Sequence, residues 1–250
     1  MSSFETGVAA LVCVFGGALL GMFLRTVLPK HHLDSETKDV VKLGMGLVGT
    51  MAALILGLLV TSAKSAYDTQ ATELTQASAN ALMLDRILSH YGPETGEARQ
   101  TLKNLVAGAI DKMSSAGRRG SRVEPSHYGH ESLYEQIHSL SPQDEAQKSL
   151  KSEALALALS LGQTRSLMYE QQEIAPSKPL VFVMIFWLAI VFLSWGLFAP
   201  KHATVVATFF IAALAVSVAI FLILEMYTPY RGLIRISSAP LRAALSQLGQ

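Results

Sequence analysis

The sequence predicts an all-α membrane protein: four transmembrane helices with a helical extramembrane domain inserted between the second and third. Three observations carry this expectation. First, 50% of the 250 residues are hydrophobic and only 16% are charged, against roughly 25% charged in soluble domains. Second, Gly7 to Leu24, Leu43 to Ala63, Leu180 to Ala199 and Ala203 to Leu224 hold no charged residue over 18 to 22 positions. A hydrocarbon layer of about 30 Å needs about 20 helical residues to cross it, and in lipid the backbone satisfies its hydrogen bonds within a helix. Third, of the 39 charged residues (20 Lys+Arg and 19 Asp+Glu), 26 lie between Ser62 and Leu180. The expected layout is residues 1–62 for the first two spans, 63–179 for the extramembrane domain, 180–224 for the last two spans and 225–250 for an amphipathic tail.

Taken in order, the first span follows Glu5 with no Lys or Arg before it and no small-x-small pattern after it, so it reads as a permanent span and not a cleaved leader. A loop from Arg25 to Lys42 leads to the second span. Tyr67, Leu74, Ala77, Ala81, Leu84, Leu88 and Tyr91 continue beyond it at helical spacing, until Gly92-Pro93 ends the run. Ala98, Leu102, Leu105, Ala109 and Met113 mark another helix. Ser114 to His130, with its glycines, Pro125 and the triplet Arg118, Arg119 and Arg122, reads as an exposed loop. A short helix is expected around Leu133, Ile137 and Leu140. Ser141-Pro142-Gln143-Asp144 reads as a cap with proline at the first helical position, opening a helix that runs to about Glu173. The third and fourth spans are joined by a turn at Pro200-Lys201-His202. Leu241, Ala244, Leu245 and Leu248 give the tail one apolar face from Pro240 onward, fit for the membrane interface or for docking on the bundle.

With four spans, the N-terminus, the middle segment and the tail share one side. Basic residues beside the spans divide evenly between the two sides, so charge leaves the orientation undecided. The middle helices are rich in Ala and poor in large apolar residues, which suits either close packing with further copies of the chain or a self-contained bundle.

Several classes of activity find no support. A net charge of +1 offers no basic surface for nucleic acid. The single cysteine, Cys13, forms no internal disulfide or thiolate cluster. The histidine pairs His31-His32 and His127/His130 have no carboxylate or cysteine at ligand spacing, so no metal is expected. No phosphate loop, nucleophile elbow or paired-carboxylate signature occurs, so neither a catalytic residue nor a cofactor is expected.

Two groups of residues stand out. Gly46, Gly49, Thr50, Ala53, Gly57 and Thr61 share about one face of the second span. Small residues there let helices approach closely, or let the face line a pore with the threonine hydroxyls meeting ions or water. Glu225 closes the fourth span, and topology places it beside Lys64, Lys178 and Arg231 as a charge cluster at the membrane edge. Trp187 and Trp195 read as packing or interface anchors.

Leu56-Gly-Leu-Leu-Val-Thr-Ser-Ala-Lys-Ser-Ala-Tyr67-Asp68, with Ala77 to Ala81 following, carries a resemblance. So do Phe186-Trp187, Phe192-Leu-Ser-Trp-Gly196 to Pro200, Phe221 to Glu225 and Gly232 to Pro240. Together they resemble the bacterial bestrophin-like membrane proteins, which are distantly similar to bestrophin anion channels. That resemblance implies a homo-oligomer, a pentamer by analogy, with four spans per subunit and a pore lined by the second helix. It also implies a helical part inside the cell. The chain departs from the pattern at Tyr227, where an acid is expected, at Arg231, and in lacking bulky aromatic residues in the second span. The expectation is a multi-pass protein of the cell inner membrane whose partners are the lipid bilayer, copies of itself and inorganic ions. The alternative is a non-conducting scaffold or sensor whose helical domain binds a partner.

Overall fold

The computed structural model describes residues 2–29, 35–119, 128–171, 178–230 and 232–249. It contains helices α1 (Ser3–Val27), α2 (Ser35–Tyr91), α3 (Gly96–Arg119), α4 (Tyr128–His138), α5 (Glu145–Gln171), α6 (Lys178–Phe198), α7 (Ala203–Met226) and α8 (Ala239–Gln247). No strand occurs among the described residues. Four helices, α1, α2, α6 and α7, are long and apolar enough to cross a membrane. The chain divides into two compact units, Met1–Ala66 with Ala175–Tyr227, and Tyr67–Ile174 with Thr228–Gln250.

In the first unit, a capping box starts α1: Ser2 Oγ accepts the Glu5 N–H at 3.2 Å and Glu5 Oε2 accepts the Ser2 N–H at 2.7 Å. α1 and α6 then cross with almost no side chain between them. A Cβ on Gly17 would lie 2.6 Å from the Ala189 carbonyl oxygen. One on Gly21 would strike the Leu193 carbonyl, and one on Gly196 the Ala18 carbonyl. In lipid, helices gain little from excluding water, so backbone contact of this kind supplies the attraction. Val14, Ala18, Phe192 and Ala213 close the core beside this crossing, and Phe15 meets Phe210 edge-on at 5.4 Å. The buried Ser217 hydroxyl of α7 donates to the Gly7 carbonyl at 2.5 Å. Arg25, in the last turn of α1, donates to the Ala199 carbonyl just past the end of α6, a cation at the negative pole of that helix.

The second unit buries Leu84 and Leu88 of α2, Leu102 of α3 and Leu133 and Ile137 of α4 at its centre, with Ile236, Leu241 and Leu248 of the tail in the same core. The tail therefore docks on the bundle. Gly92 ends α2 with φ +142°, a conformation that other residues rarely adopt. The carbonyls left over at this end find donors: Thr95 Oγ1 bonds the Leu88 carbonyl at 2.6 Å, and Gln147 Nε2 bonds that of Tyr91 at 3.0 Å. At the end of α4, Lys151 Nζ serves the carbonyls of His138 at 2.6 Å and Leu140 at 2.8 Å.

Several boundaries differ from the sequence reading, among them the Arg25 to Lys42 loop, which α1 enters as far as Val27 and α2 from Ser35 onward. The loop expected from Ser114 begins later, because α3 continues through Arg119. Nothing between Ser114 and Ala116 breaks a helix, and Ser115 Oγ turns back onto the Lys112 carbonyl at 3.0 Å. Arg122 lies outside the described residues, as do the side chains of Arg118 and Arg119. The cap of α5 is Asp144 and not Ser141, since Asp144 Oδ1 accepts the Gln147 N–H at 2.6 Å. A carboxylate in that position also meets the positive pole of the helix.

Asp85 is a buried charge of this unit. It accepts Arg99 Nε at 2.8 Å and Nη2 at 3.1 Å, together with the Gly249 N–H at 3.1 Å. Burial pushes its carboxyl up, but the Arg99 and Gly249 hydrogen bonds and the charges of Arg99 and Lys103 outweigh it and hold the group below 3.8. A lowered value in the folded state stabilises the fold above the ordinary carboxylate range, and that contribution is lost as pH falls through the folded value. Asp85→Ala removes the partner of a half-buried guanidinium and is expected to cost about 3 kcal/mol. Denaturant titration at neutral pH measures this, and the gap between variant and parent should close in acid.

Candidate functional site

α2 is divided lengthwise by what its residues touch. On the inner side Leu59 and Ala63 are buried in a cluster with Ala10 of α1, Met184 of α6 and Ile220 and Ile223 of α7, and Ala52 is buried two turns before Leu59. The rest of the membrane-crossing part is open. Only 11% of its most apolar window is buried, against 39% for α1, so α2 is the span this chain covers least.

The open side carries two kinds of residue. Leu43, Leu47, Leu54 and Leu58 form an apolar ridge, each at least 65% exposed. Beside it lie the small residues singled out from the sequence: Gly46, Thr50, Ala53, Gly57 and Thr61 are exposed and Gly49 is half-buried. A Cβ on Gly46, Gly49 or Gly57 would meet nothing within 4 Å. Thr50 Oγ1 bonds back to the carbonyls of Gly46 at 2.9 Å and Leu47 at 2.8 Å, and Thr61 Oγ1 to that of Gly57 at 2.9 Å. These hydroxyl protons are spent on the helix itself, which leaves oxygen lone pairs facing outward.

At the other site expected from sequence, Glu225 is buried at the end of α7 and Lys64 is exposed on α2. Lys178 opens α6 with its side chain outside the described residues, and Arg231 lies outside them altogether. One bond that joins α2 to the end of α7 comes from Tyr227, whose hydroxyl donates to Ser62 Oγ at 3.0 Å. Among the described residues no group of three or more His, Cys, Asp or Glu is placed to hold a metal. Trp195 of α6 is 48% exposed and packs against Phe192 with ring centres 5.2 Å apart.

Sequence reasoning missed the glycines that pack within the chain. Those of α2 drew attention, while Gly17 and Gly21 of α1 and Gly196 of α6 make the close contacts. Gly17 and Gly21 are four residues apart, the small-xxx-small spacing that signals helix packing in membranes.

Comparison with known proteins bears on the whole of this architecture. The chain matches a crystal structure of a mutant bacterial bestrophin homolog from Klebsiella pneumoniae with a TM-score of 0.64, covering 96% of this chain and 97% of that one at 15% identity. At that identity the likeness is one of fold. A search of curated proteins finds no match. The family model of the bestrophin-like domain matches residues 12–241. That range runs from within the first span to the tail helix, and the chain belongs to the bestrophin-like family.

Proposed function

We propose that the protein is a homo-oligomeric ion channel of the cell inner membrane, with a conduit lined by the Gly46, Gly49, Thr50, Ala53, Gly57 and Thr61 face of α2. The observation that carries this reading is the openness of α2. Where glycines of this chain serve helix packing, on α1 and α6, a carbonyl of the other helix fills the space; beside those of α2 there is room for side chains. A face of glycines and threonines offers lipid tails little side chain to pack against and allows close approach, so it suits another subunit, water or ions. The neighbouring leucine ridge supplies the apolar area with which copies pack around an axis. The family match supports the same architecture, and a five-fold ring is the arrangement by analogy. Lys64 and Glu225 serve in this reading as charges that fix the ends of α2 and α7 at the membrane edge.

The test is current together with access. Purified protein in planar bilayers conducts. In a Cys13→Ala background, Thr61→Cys reacts with an impermeant thiol reagent and loses current, whereas Leu54→Cys is shielded. Silent bilayers, or an assembly whose second helices enclose no opening, overturn the reading.

A further inference from the structure

α4 and α5 part around a groove of about 720 Å³, lined by Tyr134 of α4 and by Leu159, Gly162 and Leu167 of α5. A Cβ on Gly162 would meet nothing within 4 Å, so the glycine leaves the groove open. Glu131, Glu135 and Glu170 also line it. Like charges around an apolar channel repel one another, and leucines left half-exposed forgo the gain of burial. The complement to this surface is an apolar side chain flanked by positive charge.

The second unit offers such a side chain on a different face. Among the described residues, its exposed large apolar side chains are Met83, Leu159, Leu167 and Leu233; two of these four lie in the groove, and Met83 stands on α2. Arg86 and His90 follow Met83 at three and seven residues, on the same side of the helix, and both are exposed. Methionine is unbranched and adapts to irregular apolar surfaces. Neither Met83 nor Arg86 lines the groove of its own chain.

We propose that the α4–α5 groove of one subunit receives the Met83 and Arg86 stripe of α2 from the next subunit. This inference rests on the homo-oligomeric reading above and adds where the extramembrane units meet. Acid on one patch and base on the other set the polarity of the contact, so each subunit gives a knob to one neighbour and a groove to the other. A head-to-tail contact of that kind closes into a ring when its rotation allows. The choice of a second copy over another partner follows from charge complementarity, and from α2 being the helix that the proposed channel places at subunit boundaries.

The experiment uses full-length protein in lipid nanodiscs, in a Cys13→Ala background. Met83→Cys combined with Leu159→Cys should give a ladder of disulfide-linked subunits on oxidation, while either cysteine alone should give none. Arg86→Glu should lower the linked fraction about threefold, and adding Glu135→Arg should restore it. Linkage by Met83→Cys alone overturns the proposed contact. Absence of a ladder in particles whose mass is oligomeric overturns it too and leaves the channel reading standing; particles with the mass of one subunit overturn both.

Discussion

Gly21→Val is expected to pull α1 away from α6 and to cost at least about 3 kcal/mol, the upper end of what overpacking a tight contact costs. The added carbons would overlap the Leu193 carbonyl and crowd the Leu197 nitrogen at 2.8 Å, both backbone atoms that cannot swing aside. Gly196→Val meets the same difficulty from the other side, at the Ala18 carbonyl. Because both act on one crossing, the double variant should lose less than the sum of the two. Gly16→Val is the control, since a Cβ on Gly16 meets nothing within 4 Å. The intrinsic helix preference changes equally in all three. Thermal unfolding in detergent should separate Gly21→Val and Gly196→Val from Gly16→Val by many degrees. Equal tolerance of all three would mean that α1 and α6 do not meet through these residues.

The second large effect concerns conduction. Gly57→Trp is expected to abolish current while leaving assembly and unfolding temperature close to those of the parent. Within one chain a Cβ at Gly57 meets nothing within 4 Å, so the side chain starts into open space. Repeated around an axis, it fills the conduit at one depth. Gly57→Ala adds a single methyl and should keep most of the current. Bilayer recordings paired with the mass of the detergent-solubilised assembly decide the matter. A Gly57→Trp variant that loses assembly along with current would assign this face of α2 to contact between subunits.

What the sequence made legible follows from how each feature is encoded. Absence of charge over 18 or more residues is a local property, and it located the spans. The extension of α2 to Tyr91 was equally readable, because Leu74, Ala81, Leu84 and Leu88 repeat at helical intervals and Gly92-Pro93 ends them. The start of α5 was misplaced by three residues because Ser141 and Asp144 are both good caps, and only the reach of Asp144 to the Gln147 N–H separates them. The partners of Asp85 were out of view for a different reason: Arg99 and Gly249 lie 14 and 164 residues away. The glycines show the limit most clearly. Gly21 and Gly57 look alike along the chain, and the difference between them is that a second helix lies over one and not the other.

The composition of the second unit has a consequence for biosynthesis. Its core joins helices from residues 67–174 to Ile236, Leu241 and Leu248. During translation the middle helices emerge first, and their apolar faces stay incomplete until α6, α7 and the tail have been made. A nascent chain stalled before Ile236 should therefore be a ready client for chaperones. On the proposed multi-pass reading, a tail that seals this core returns to the face of the bilayer where the core was left.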